Sequence, residues 1–294
     1  MTAMTPDVSV IMPVRNGEPY VREAIDSVLT QGGVRLELLV VDDGSADGTL
    51  DTLAAYGPRL TLLRASGAGA YRTRNAAARI ARGRWLAFID ADDRWRPGKL
   101  EAQLDVAGDR PLVHTDRFNI GNRGNLPAVH SELVPVRGGD VFVDLMLTGN
   151  FITTSSVVLR RDIFEQVGAF AEHIPRAADW DLWLRVAERY PVEAVPEPLV
   201  DYRFHDANIS RDLDLVMAAR RLVIDRALAS PRGRTLGRAM QHRIRAHTWM
   251  TNAGDLARHH QRRRSLAACA QAARHWPFVA APFKHALRLG LGRA

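Results

Sequence analysis

Long apolar segments alternate with helix-forming segments through residues 8–90. VSVIMPV, at 8–14, is continuously apolar and rich in β-branched residues, as the buried strands of parallel sheets are. The same pattern recurs in RLELLVV, RLTLLRA and RWLAFID, and the segments between these runs have helical spacing. This alternation predicts right-handed βαβ units and a mainly parallel sheet.

Polar turns follow three of these predicted strands. PVRNG ends the first, DDGS the second and DADD the fourth. Because ligands of open α/β sheets bind outside the carboxyl ends of the strands, we expect the three turns to share one functional edge.

The third of these turns, in FIDADDRW, contains Asp90, Asp92 and Asp93. Like charges this close repel, so each carboxylate favours a neighbouring cation. Carboxylate oxygens suit Mg²⁺ or Mn²⁺, with substrate phosphates completing the coordination. The alternative is a surface turn whose aspartates cap the next helix.

Two further motifs also permit two interpretations. VVDDGS is either an Asp-Gly turn before a helix or a site where a carboxylate accepts a hydrogen bond from a nucleotide base. In AADWDLWLR, Asp179 and Asp181 begin a predicted helix, where carboxylates are stabilised by the helix dipole. A general base that takes a proton from an attacking hydroxyl is the other interpretation of this motif.

Taken together, these motifs resemble those of family 2 glycosyltransferases. VSVIMPVRNGEPYVREAIDSVLTQ, ELLVVDDGSADGT, RTRNAAARIARGRWLAFIDADD, ADWDLWLR and YRFHDANIS occur in the order and spacing of that family, over about residues 7–210. The resemblance implies a GT-A fold and inverting sugar transfer from a nucleotide-sugar.

The resemblance also implies roles for single residues. Those implied to bind the nucleotide-sugar are Pro13 and Arg15 beside the base, Asp43 hydrogen-bonded to it, Arg74, Asp90 and His205. A structural histidine is the alternative for His205. Asp90 and Asp92 form the DxD motif, which holds a divalent metal, Mn²⁺ or Mg²⁺, and Asp179 matches the catalytic base.

Three departures from the family pattern bear on the prediction. Arg15 stands where the family often has an aromatic residue, and Ala178 replaces a glutamate before the catalytic base. The QxxRW motif of processive synthases is absent from the sequence. The resemblance therefore predicts an enzyme that adds one sugar.

The basic charge is confined to the C-terminal part of the chain. Residues 211–294 contain 17 Lys and Arg against 4 Asp and Glu, a net +13, whereas residues 1–210 carry −6. We predict a GT-A domain at 1–210, including two strands with turns in PVEAVPEPLVDYRFHDANIS, and a basic α-helical region at 211–294.

We expect the basic region to contact an anionic membrane surface, where a lipid-linked or glycan acceptor would be available. The segment from Trp276, with its apolar residues Phe278, Phe283, Leu287, Leu289 and Leu291 and its cations Lys284, Arg288 and Arg293, suits a helix in the headgroup layer. The alternative is packing on the protein itself. No spanning segment or signal peptide is recognised, so we expect a cytoplasmic protein, peripheral on the inner face of the membrane.

Other function classes fit the sequence less well. A sugar nucleotidyltransferase should have a Gly-rich loop after the first strand, where this chain has PVRNGEPY. A Rossmann dehydrogenase needs G-x-G-x-x-G, which SGAGAYRTRN lacks. A membrane- or nucleic-acid-binding module with a degenerate catalytic domain is a third alternative, but no nucleic-acid-binding motif is recognised.

Overall fold

The computed structural model describes residues 5–205 and 212–277, and within them eight strands form one sheet in the order β3-β2-β1-β4-β7-β6-β8-β5. The strands are β1 (Val8–Val14), β2 (Leu36–Asp42), β3 (Thr61–Arg64), β4 (Trp85–Phe88), β5 (Arg94–Trp95), β6 (Leu112–Gly121), β7 (Val158–Arg160) and β8 (Glu193–Phe204).

The first four strands are parallel and adjacent, with β1 between β2 and β4. β6 and β8 are also parallel, whereas β7 and β5 pair antiparallel with their neighbours. The prediction of a mainly parallel α/β sheet is therefore confirmed.

Burial explains the continuous apolar runs. All seven residues of β1 are buried, since strands flank it on both sides and helices cover the sheet. Val21, Ile25 and Val28, which are spaced to lie on one face of the first helix, join Val10 and Met12 in one buried cluster.

The helices are α1 (Val21–Leu29), α2 (Thr49–Ala54), α3 (Ala70–Ile80), α4 (Lys99–Ala107), α5 (Phe142–Thr148), α6 (Arg161–Val167), α7 (Ala178–Ala187), α8 (Leu213–Ala229), α9 (Pro231–Thr235), α10 (Arg238–Arg258) and α11 (Arg262–His275).

Of the segment predicted as two strands with turns, the described residues 191–205 contain one strand, β8, so the prediction of two strands there was wrong. Its pairing with β6 shifts register where Thr115 faces Val195 and Asp116 faces Pro198. Pro196 and Pro198 lack the N–H that a regular ladder needs, and the irregularity accommodates them without ending the strand.

The chain divides into two compact units. One consists of Met1–Val141, Phe151–Glu172 and Arg185–Ile209, and contains the sheet; the other consists of Phe142–Asn150, His173–Leu184 and Ser210–Ala294. The domain boundary expected between residues 210 and 211 stays a prediction.

The second unit contains α8, α10 and α11, which pack around a small apolar cluster that includes Met217, Leu256 and Cys269. Cys269 is buried in this cluster as a free thiol. Arg220 of α8 donates to Asn252 and to Asp255 of α10 across this bundle. The described helices include none that is both long and apolar enough to span a bilayer.

Candidate active site

Hydrogen bonds join the turns after β1 and β2. The N–H of Asn16 donates to Ser45 Oγ (2.9 Å), and the Asn16 side chain accepts from the N–H of Ala46 (2.8 Å). The N–H of Gly17 donates to Thr49 Oγ1 (2.8 Å). The parallel pairing of β1 and β2 brings these turns to one edge of the sheet, as predicted.

Pro13 and Arg15 lie at the end of β1. Pro13 is buried within the strand and faces Val41 of β2, whereas Arg15 follows the strand and is exposed. The side chain of Arg15 is thus accessible to a ligand at this edge, whereas Pro13 is not exposed.

Asp43 organises the loop that leads into α3. Its buried carboxylate accepts hydrogen bonds from the N–H groups of Ala68 (2.7 Å) and Gly69 (2.8 Å). Gly69 has a positive φ of 87°, which favours glycine there. The neighbouring Asp42 is also buried, and its Oδ1 has no hydrogen-bond partner among the described residues.

Arg74 connects this loop to the acidic turn. Its side chain, on α3, is only 5% exposed and forms an ion pair with the carboxylate of Asp90. The guanidinium also lies over the rings of Tyr71 and Phe170, at 5.6 and 5.8 Å from their centres. Packing on both rings fixes the position of this buried charge.

The carboxylates of Asp90, Asp92 and Asp93 lie close enough to share one cation, with an oxygen from each within 4.8 Å of the others. The side chains of Asp90 and Asp92 are 35% and 26% exposed, whereas Asp93 is buried. Asp90 and Asp92 are therefore the two that a solvated ligand can reach.

Asp93 instead holds the turn in place. Its carboxylate accepts hydrogen bonds from the Ser155 hydroxyl and from the N–H of Arg203 (3.0 Å). Burial, followed by the charges of Asp92 and Asp90, raises the pKa of Asp93 well above the ordinary aspartate value. Ser155 Oγ also accepts from the N–H of Asp90 (3.0 Å), so one serine fixes both ends of the turn.

His205 lies beside the acidic turn. Its Nε2 is 2.9 Å from Oδ2 of Asp92, and its ring packs on Tyr20 with 5.3 Å between ring centres. Arg203, two residues earlier on β8, donates through Nε to the Asp92 carbonyl (2.9 Å) and covers the Tyr20 ring at 4.4 Å.

An ion-pair network supports this part of the site. The fully buried carboxylate of Asp201 accepts from Arg94 and from Arg96 (2.8 Å), and Glu23 accepts from Arg94 (2.6 Å) and Arg203 (2.5 Å). The sequence motifs did not indicate this ion-pair network. The available signal was the period-2 alternation in DYRFH, which places Asp201 and Arg203 on one face of β8, with His205 just after the strand.

Asp179 belongs to the second unit, in the first turn of α7. Its Oδ2 accepts a hydrogen bond from Asn150 Nδ2 (2.9 Å), a partner that the sequence did not indicate. Asp181 is buried and paired with Arg226, Nε to Oδ1 2.8 Å. Of the two aspartates in ADWD, Asp179 is the more accessible.

The predicted membrane segment falls almost wholly beyond the described residues. Trp276 is included, whereas Phe278, Phe283, Lys284, Leu287, Arg288, Leu289, Leu291 and Arg293 lie outside them.

Comparison with known proteins agrees with this arrangement. A family model described as "Glycosyl transferase family 2" matches residues 9–168. The chain is 32% identical over 210 residues to the Escherichia coli UDP-Glc:alpha-D-GlcNAc-diphosphoundecaprenol beta-1,3-glucosyltransferase WfgD, which covers 69% of this chain and 79% of that protein. An uncharacterized glycosyltransferase of Rickettsia felis is 28% identical over 218 residues, or 71% of this chain. The chain spans about a third of the length of this and two further Rickettsia relatives.

Solved structures share the fold. S. aureus TarS in complex with UDP-GlcNAc superimposes with a TM-score of 0.68 at 16% identity, covering 97% of this chain and 91% of that one. The mannosyltransferase PcManGT from Pyrobaculum calidifontis, in complex with GDP-Man and Mn²⁺, gives a TM-score of 0.62 at 21% identity, covering 99% and 82%. The predicted GT-A fold is confirmed.

Proposed function

The chain belongs to glycosyltransferase family 2, and we propose that it transfers one sugar from a nucleotide diphosphate-sugar to an acceptor hydroxyl with inversion. The observation that carries this proposal is the acidic turn at the carboxyl edge of the sheet, where Asp90 and Asp92 are accessible and Arg74 adjoins them.

The donor is proposed to be a UDP-sugar. TarS and PcManGT, which share the fold, were solved with UDP-GlcNAc and GDP-Man, and WfgD is named for UDP-Glc. In this chain Asp43 would accept from the base, with Pro13 and Arg15 beside it. The hydrogen bonds of Asp43 to the loop before α3 hold its carboxylate in place for this role.

The residues present suit a divalent metal. Asp90 and Asp92 would hold Mn²⁺ or Mg²⁺, because both are carboxylates, both are partly exposed, and they lie beside a third acidic group. When bound, such an ion supplies positive charge that stabilises a diphosphate leaving group. Arg74 would bind the same diphosphate from the protein side, and His205 would orient Asp92 through their hydrogen bond.

Asp179 is proposed as the general base. Its carboxylate would take the proton of the acceptor hydroxyl as that oxygen attacks the anomeric carbon. The hydrogen bond from Asn150 restricts the rotation of the Asp179 carboxylate. Asp181 is not the candidate base, because its carboxylate forms a buried ion pair with Arg226.

The acceptor is proposed to be a lipid-linked sugar or another cell-surface glycan. The support is the similarity to WfgD, whose name specifies a GlcNAc-diphosphoundecaprenol acceptor. The net +13 of residues 211–294 would favour peripheral contact with an anionic membrane that carries such lipids.

Two measurements test the proposal. A thermal-shift screen of UDP-, GDP- and dTDP-sugars with Mn²⁺ should show a rise in melting temperature for at least one donor, since a ligand that binds only the folded state stabilises it. NMR of the product made from that donor should then show the opposite anomeric configuration. A retained configuration would contradict the inverting mechanism.

A further inference from the structure

A concave arginine-rich surface lies at the other edge of the sheet from the acidic turn. We call it the arginine basin, a pocket of about 420 Å³ within the first unit. Its charged lining residues are Arg35, Arg82, Arg84, Arg160 and Arg161, with Asp7 and Asp162.

The strand directions explain why these charged residues lie close together. Asp7, Arg35 and Arg84 immediately precede β1, β2 and β4, which are parallel, so all three lie at the amino ends of these strands. Arg160 ends β7, which is antiparallel to β4 and therefore finishes at the same edge. β1 has seven residues, so the basin is about 20 Å from the turns at its carboxyl end.

Three of the arginines are paired with carboxylates. Arg35 pairs with Asp7 (2.6 Å), Arg82 with Glu37 (2.7 Å) and Arg160 with Asp162.

The other two arginines are not compensated in this way. Arg161 donates to the carbonyl of Ala81 (3.1 Å) but has no carboxylate partner among the described residues. Within the same residues, the guanidinium of Arg84 has neither a hydrogen bond nor an ion pair, and its side chain is exposed. The lining of the basin therefore presents two uncompensated positive charges.

These two residues also adjoin each other, since Arg84 precedes β4 and Arg161 follows the neighbouring strand β7 as the first residue of α6. The N–H of Arg161 donates to the carbonyl of Arg84 (3.0 Å), next to the register pair Trp85 and Arg160. Two like charges on adjoining residues of the backbone repel each other, and a bound anion would relieve that repulsion. Guanidinium groups bind phosphate oxygens in bidentate fashion, so several in one concavity suit a phosphate group.

We propose that the arginine basin is a second anion site, which binds a phosphate group independently of the donor site. Its volume is at the lower end of the range for small-molecule pockets, so it would hold one compact phosphorylated group. That group could come from a free phosphorylated compound or from the headgroup of an anionic lipid.

Calorimetry with inorganic pyrophosphate in metal-free buffer tests the proposal. The full chain should bind pyrophosphate, and the Arg84→Gln/Arg161→Gln variant should bind it at least about tenfold more weakly, because charge-assisted hydrogen bonds are lost. Arg189→Gln, at an exposed arginine outside the basin, should leave this affinity unchanged.

Circular dichroism would establish that the double variant folds, and Arg84→Gln alone serves if it does not. Failure of the wild-type chain to bind millimolar pyrophosphate, or equal affinity in the basin variant, would overturn the proposal. Flotation with phosphatidylglycerol and phosphatidylcholine vesicles distinguishes the two sources. If the bound group is a lipid headgroup, the basin variant should lose binding to phosphatidylglycerol vesicles. If it is a free phosphorylated compound, the variant should bind these vesicles as the wild-type chain does.

Discussion

The imidazole of His205 and the carboxylate of Asp92 lie within hydrogen-bonding distance, with 2.9 Å between Nε2 and Oδ2. The two residues are 113 positions apart in the chain. The end of β8 brings the histidine to the turn that follows β4. This contact gives a fixed orientation to the carboxylate that we propose as a metal ligand.

We therefore expect His205→Ala to weaken the Mn²⁺-dependent part of donor binding by about 10–100-fold, the usual effect of losing an outer-sphere partner. Calorimetry of UDP binding with and without Mn²⁺ measures it. His173→Ala removes an exposed histidine and serves as the control. If His205→Ala keeps the full metal enhancement, this histidine does not orient a ligand.

Removal of the Ser155 hydroxyl should destabilise the protein. In Ser155→Ala the buried Asp93 carboxylate loses a donor and the Asp90 N–H loses an acceptor. We expect a loss of about 1–3 kcal/mol in the free energy of unfolding, measured in urea. Ser66→Ala, at an exposed serine, should change little. Equal stability of the two variants would show that the turn does not depend on Ser155.

Asp179→Asn should fold and bind donor normally but transfer sugar about 10²–10⁴-fold more slowly, as expected for loss of a general base. Asp181→Asn is the comparison, since it breaks the ion pair with Arg226 and should lower the melting temperature. Steady-state kinetics and thermal unfolding of both variants separate the roles. A near-wild-type turnover in Asp179→Asn would exclude it as the base.

Acid should destabilise the protein in part through His130. Burial, followed by the charge of Arg117, lowers the pKa of His130 to about 4. An unfolded histidine titrates near 6.5, so the unfolded chain binds more protons below that pH. The free energy of unfolding is therefore not reduced by His130 above about pH 6.5, and it falls progressively as the pH is lowered towards 4.

We therefore expect His130→Gln to lose about 1–2 kcal/mol less stability than wild type between pH 7 and pH 4, after allowance for solvent screening. Urea unfolding at several pH values measures the difference. His173→Gln, at an exposed position, should behave as wild type. Parallel pH profiles for wild type and His130→Gln would contradict the assignment.

The edge of the sheet at which the candidate site lies could be predicted from the sequence, because the positions and directions of the strands follow from local hydrophobic patterns. The apolar runs that became β1, β2 and β4 fix the strand directions, and the direction of a parallel strand fixes where its following turn lies. The face of α1 that contains Ile25 and Val28 followed from helical spacing in the same way.

The supporting side chains depended on tertiary pairing instead. Ser155 is 62 residues from Asp93, in a short turn before β7, and nothing in its local sequence indicates the contact. The single strand β8 was missed because Pro196 and Pro198 indicate breaks, whereas the register shift against β6 tolerates them.

The central claim is that the acidic turn acts on a nucleotide-sugar with a metal, and Asp92→Asn tests it most directly. The measurement is the release of nucleoside diphosphate from a panel of UDP-, GDP- and dTDP-sugars by the purified full chain, with Mn²⁺ and with a chelator. Asp105→Asn, an exposed aspartate on α4, is the matched control.

We predict slow release from at least one donor by wild type and by Asp105→Asn, lost with the chelator and lost in Asp92→Asn. Asp93 would be the next candidate ligand if Asp92→Asn alone retained activity that the chelator abolishes. Release from no sugar nucleotide in the panel, or release that neither the chelator nor Asp92→Asn reduces, would contradict the account.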